Sequence, residues 1–79
     1  MKNNKGKTLF SKNIHYLRRS KGWTMDELAR RLEVSEPTVS MWESGKRRPL
    51  NWEMIVAVCK LFGLTIDQLI LKDLTKGEK

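Results

Sequence analysis

Residues 24–49 read TMDELARRLEVSEPTVSMWESGKRRP, and this stretch decides the fold. It opens on Thr24 with Glu27 three residues later, the pattern in which a threonine caps a helix and a glutamate reaches back to the cap nitrogen. Leu28, Ala29 and Leu32 then fall on one face at helical spacing. After Glu33 and Val34 comes a second start signal. Ser35 caps another helix, and Pro37 is tolerated in its first turn because no intrahelical donor is lost there. Val39 and Trp42 are spaced to face inward, and Gly45 stands where a helix ends. Two helices joined by only about three residues cross steeply.

Working outward, Phe10, Ile14 and Leu17 recur at i, i+4, i+7, which predicts a first helix. Gly22 stops it after a cationic last turn of Arg18, Arg19 and Lys21, a placement that suits the helix dipole. Trp23 is expected in the core and His15 on the surface. Beyond residue 49, Asn51 caps a fourth helix with Trp52, Ile55, Val56, Cys59 and Phe62 on one face, and Gly63 ends it. Thr65 and Gln68 repeat the capping pattern for a short fifth helix that turns Ile66, Leu69 and Ile70 inward. No stretch alternates with period two for long enough to be a strand. The expectation is an all-α domain of about five short helices over residues 8–74. Residues 1–7 are polar and aperiodic, a flexible basic arm, and residues 75–79 form a frayed tail.

The formal charge of +7 over 79 residues is unevenly spread. Lys2, Lys5, Lys7, Lys12, Arg18, Arg19 and Lys21 form an N-terminal block with no acid among them, and Lys46, Arg47 and Arg48 stand together. Between these groups acids exceed bases, and after residue 48 the two balance. Such a surplus points to a polyanion, or to an anionic membrane surface. The apolar stripe of the first helix is used by the core, so little remains for lipid. The longest apolar run, residues 54–59, is too short to span a bilayer. One cysteine, Cys59, and one histidine, His15, exclude an intrachain disulfide and a Cys/His zinc site. There is no acid pair, no nucleophile with a base beside it and no Gly-rich phosphate loop, so no enzymatic activity, metal or cofactor is expected. Cys59 reads as a small core residue and the chain as cytoplasmic.

In the steep pair of helices, Glu36, Pro37, Ser40 and Met41 occupy the outer face of the second. That face is short and nearly uncharged, unlike a solvated helix surface, and a helix fits the ~12 Å wide major groove of B-DNA. Several motifs now stand in order: Phe10-Ser11, Ile14, Leu17-Arg18, Lys21-Gly22, Thr24, Glu27-Leu28-Ala29, Val34-Ser35, Val39-Ser40, Trp42-Glu43, Gly45-Lys46-Arg47, Pro49 and Leu61-Phe62-Gly63-Leu64. Their combination resembles the Cro/repressor-type helix-turn-helix family across residues 9–71. The resemblance implies a lambda-repressor-like fold and a double-stranded DNA partner, with transcriptional repressors or regulators binding palindromic operators as homodimers. It implies a structural ion pair between Arg18 and Glu43. It also implies backbone contacts around the second helix start and the loop after the third helix, here Thr24, Met25, Thr38, Ser44, Lys46, Arg47 and Arg48. That loop is read as offering free amides beside its cations.

Two positions depart from the family pattern. Met25 replaces a glutamine that grips phosphate, leaving only its backbone amide for that role. Glu36 in the first turn of the reading helix is repelled by phosphate but accepts a hydrogen bond from cytosine N4, so a C·G pair is expected opposite it. Pro37 and Met41 suit thymine methyls, Ser40 donates or accepts, and Met41 fits the role of rim filler equally well. Leu71 and Leu74 cannot all turn inward from so short a final helix and offer a dimerisation patch. Other functions on the same fold are an antitoxin or a restriction–modification controller. A protein- or membrane-surface docking module is a more distant one.

Overall fold

The computed structural model describes residues 8–77; the arm expected over residues 1–7 lies outside the described residues. Five α-helices follow one another: α1 Leu9–Ser20, α2 Met25–Leu32, α3 Glu36–Ser44, α4 Trp52–Phe62 and α5 Ile66–Leu71. A 3-10 turn over Leu74–Gly77 follows them. Among the described residues there is no strand. The all-α expectation therefore holds, with five short helices.

Each helix starts on a side-chain oxygen that takes an orphan amide: Thr8, Thr24, Ser35, Asn51 and Thr65. Thr65 and Gln68 form the complete reciprocal box. At Thr24 only half of the expected box forms. Its hydroxyl takes the Glu27 amide at 3.1 Å, but the Glu27 carboxylate lies 3.5 Å from Arg31, one turn along the exposed face. The charged partner there outcompetes the cap nitrogen. A full box that the sequence reading passed over stands instead at Thr8 and Ser11.

The core collects Phe10 and Ile14 from α1, Leu28, Ala29 and Leu32 from α2, Val39 and Trp42 from α3, Val58 and Cys59 from α4, and Leu69 from α5. Phe10 meets Trp42 edge-on at 6.1 Å between ring centroids. Trp23 lies half-buried between Phe62, 5.7 Å away, and the Arg31 guanidinium, 4.1 Å over its ring. One expected core residue is misplaced: Trp52 is 60% exposed. Burial along α4 is concentrated at Val58 and Cys59, so the first turn projects past the packed part of the helix whatever face Trp52 shares.

The frayed tail expected over residues 75–79 lies partly outside the described residues, and the segment just before it is held against α1. Asn13, on α1 and fully buried, donates its amide to the carbonyls of Leu69 and Lys72, each at 2.7 Å. Its Oδ1 accepts the Leu74 amide at 2.9 Å. One side chain thus satisfies the carbonyl end of α5 and ties the final turn onto α1. Leu74 is half-buried as a result, and of the two leucines offered for dimerisation it is Leu71, 68% exposed, that keeps a free apolar face.

Candidate nucleic-acid interface

Helices α2 and α3 meet across Glu33, Val34 and Ser35. The turn closes because the Val34 amide reaches the Ala29 carbonyl at 2.9 Å while Glu33 takes a left-handed conformation with φ of 62°. Val39, Trp42 and Glu43 hold one side of α3 in the core, and at 3.6 residues per turn the opposite side carries Pro37, Ser40 and Met41. Glu36, Pro37 and Ser40 are exposed and Met41 is 38% exposed, so the candidate reading residues share one accessible ridge.

A buried ionic cluster sets the seat of that ridge. Arg18 donates Nε to Glu43 Oε2 at 2.6 Å and Nη2 to Oε1 at 3.0 Å, a fork on a fork, and its Nη1 donates to the Trp23 carbonyl at 2.7 Å. Both ionic side chains are nearly inaccessible. The cluster locks α1 to the last turn of α3 and to the segment that leads into α2. His15 joins it, with Nδ1 2.7 Å from Glu43 Oε1. It is half-exposed, as a surface residue should be, but it is not a bystander.

The ridge has a depression on each flank. On one side Met25, Ser40, Ser44, Glu43 and His15 line a cleft of about 200 Å³. On the other, Thr38, Met41, Arg47 and Arg48 join Pro49, Leu50 and Met54 around a groove of about 410 Å³. Met25 is half-buried in the wall of the cleft, while Thr24 and Lys46 are exposed beyond the two depressions. The Thr38 hydroxyl lies 2.8 Å from that of Ser35, within the cap of α3.

The loop after α3 corrects one expectation. The amides of Gly45, Lys46 and Arg47 are not free. Gly45, with φ of 85°, donates to Trp42 at 3.2 Å, and the Lys46 and Arg47 amides both donate to the Met41 carbonyl, at 3.0 and 3.2 Å. They close the helix end, as orphan carbonyls require. The Ser44 hydroxyl also turns back to Met41, at 3.1 Å. What the loop presents outward is therefore the exposed side chains of Lys46, Arg47 and Arg48.

Cys59 is buried, and burial pushes its thiol pKa above the ordinary value. It lies in the core, away from the ridge. Among the described residues no group of three His, Cys, Asp or Glu side chains could hold a metal ion, and no helix is long and apolar enough to cross a membrane.

Comparison with known proteins fits this geometry. Over 61 residues, 77% of the chain, it is 41% identical to the HTH-type transcriptional activator BcrR of Enterococcus faecalis, of whose length it spans 29%. A solved transcriptional regulator from Listeria innocua superposes with a TM-score of 0.73 at 27% identity, covering 87% of this chain and 69% of that one. The clp gene regulator ClgR from C. glutamicum gives a TM-score of 0.71 over 94% of this chain and 95% of that one. At 22% identity the second is a likeness of fold alone. The sequence model of the helix-turn-helix family matches residues 14–69, which takes in the ionic cluster, the α2 and α3 pair, α4 and the first residues of α5. The chain is thus a member of the helix-turn-helix family, of the Cro/C1 type.

Proposed function

We propose that the chain is a sequence-specific double-stranded DNA-binding transcription regulator. It acts as a homodimer on a palindromic operator and represses by occupying it. The observation that carries the reading is the exposed, nearly uncharged start of α3 with the Lys46, Arg47 and Arg48 side chains beside it. Glu36 accepts from cytosine N4, Pro37 and Met41 contact thymine methyls, and Ser40 donates or accepts at a base edge. The phosphates fall to Thr24, Thr38, Ser44, the Met25 amide and the three loop cations, the last acting through their side chains. Repression needs occupancy only, since a dimer seated on promoter DNA excludes polymerase, whereas activation needs a further contact.

Selection of bound duplexes from a random pool tests the whole proposal. The expected product is a two-fold symmetric site with a C·G pair that loses preference in Glu36→Gln. Charge reversal at Lys46, Arg47 and Arg48 weakens all sequences alike, whereas Ser40→Ala changes which are preferred. A pool that enriches nothing, or a protein that ignores DNA at low ionic strength, sinks the reading.

A further inference from the structure

We propose that His15 is a phosphate ligand that works only when protonated, so that this chain takes up a proton as it binds DNA. The inference rests on the DNA-binding reading above. It starts from the cleft beside α3, where His15 shares about 200 Å³ with Met25, Ser40 and Ser44, three residues placed at the DNA interface. Met25 has no side-chain donor for a phosphate entering there. The imidazole is the side chain lining that cleft that can supply one, apart from the two serine hydroxyls.

The Glu43 contact determines what the ring can offer. Glu43 binds the Arg18 guanidinium with both oxygens, as a carboxylate that accepts. His15 Nδ1, 2.7 Å from Oε1, must therefore carry the ring proton and donate it. In the neutral ring Nε2 is then a bare lone pair, which a phosphate oxygen repels. On protonation Nε2 gains an N–H and the ring a positive charge, while the Nδ1 donation to Glu43 stays as it was. Arg18 Nη2, 3.4 Å from Nδ1, opposes that charge, and Glu43 favours it. On its far side the ring faces Lys12, Tyr16 and Arg19 of α1 and Thr75 of the final turn; α2 contributes the uncharged Met25. A phosphodiester bound in the cleft adds an anion to this surround and tips the balance to the imidazolium. His15 is the one histidine in the chain, so proton uptake on binding has a single imidazole to draw on.

The test is the affinity of the full chain for a 30-base-pair duplex, taken at several salt concentrations between pH 5.5 and 8. Wild type, His15→Gln and His15→Lys are compared, each checked for a folded melting transition. The expected result is a wild-type affinity that rises about tenfold toward pH 5.5, the scale of one charge-assisted contact. His15→Gln is flat, and His15→Lys is flat and tight throughout. At pH 5.5 the salt slope of wild type exceeds that of His15→Gln by about one per subunit. If protonation merely stiffened the Glu43 cluster, wild type would gain melting temperature at low pH with no change in salt slope, and the proposal would be overturned. Equal pH dependence in wild type and His15→Gln overturns it too. DNA binding that is present but independent of pH refutes the histidine while sparing the interface, whereas no binding by any variant at any pH refutes both.

Discussion

At the scale of single residues, the ionic cluster is where the fold is most exposed to damage. Removing one member of a buried pair leaves the other charge without a partner, at a cost of about 3–5 kcal/mol. Arg18→Met should therefore lower stability by that order in urea denaturation, because Glu43 stays in place after losing the guanidinium that binds both its oxygens. Cys59 gives a smaller, pH-dependent effect. Burial raises its folded-state pKa, so alkaline of about pH 8.5 the unfolded chain releases the thiol proton while the folded chain holds it. Stability then falls as pH rises. Denaturation midpoints at pH 7.5 and pH 10 should fall more steeply for wild type than for Cys59→Ala. Some of this was legible in the sequence: the resemblance names Arg18 and Glu43, and the apolar stripe of α4 includes Cys59. Asn13 was not, because a buried asparagine on a helix has no pattern; its partners lie at Leu69, Lys72 and Leu74, 56 to 61 residues away in the chain. His15 was read as plain surface for the same reason, since its partner lies on another helix.

Elements were the most readable level. Helix starts could be read from Thr24, Ser35, Asn51 and Thr65 because a cap needs only local chemistry, and the stops at Gly22, Gly45 and Gly63 likewise. The turn between α2 and α3 is different. Its left-handed position is held by Glu33, at φ of 62°, where a side chain costs about 1–2 kcal/mol relative to right-handed backbone. Glycine there would relieve the strain and lose some of the gain to its greater freedom in the unfolded chain. Glu33→Gly should therefore stabilise by about 0.5–1 kcal/mol, read as a rise in melting temperature, with base preference unchanged since Glu33 lies before the reading ridge. A fall in melting temperature would show that the Glu33 side chain contributes more than its backbone costs. What the local patterns could not give was depth. Trp52 shares a stripe with Cys59, yet the stripe runs out of the core before it reaches the start of α4. The loop amides after α3 looked available because sequence shows a turn but not which carbonyls it must close.

Over the whole molecule, the surface is what function depends on, and the least legible part of it is self-association. The described residues measure 34 × 25 × 24 Å, so two copies side by side are of the right size to set their α3 ridges about one helical turn of DNA apart, ~34–36 Å. Of the two leucines offered for self-association, Leu71 at the end of α5 is the exposed one, now that Leu74 is drawn toward α1. Leu71→Lys places a charge there without touching the core or the reading ridge. If Leu71 lies in the subunit contact, the variant stays folded and binds a half-site as a monomer, with lower affinity on the full palindrome. The salt dependence should report the same change. A dimer that neutralises ~4–6 phosphates has a log–log slope near −4 to −5, and a single subunit about half of that. Sedimentation of each protein with the duplex counts the chains bound, and the slope then has to match the count. Leu71→Lys bound two to a duplex with the wild-type slope would place the subunit contact elsewhere, whereas wild type bound singly with the smaller slope would remove the dimer.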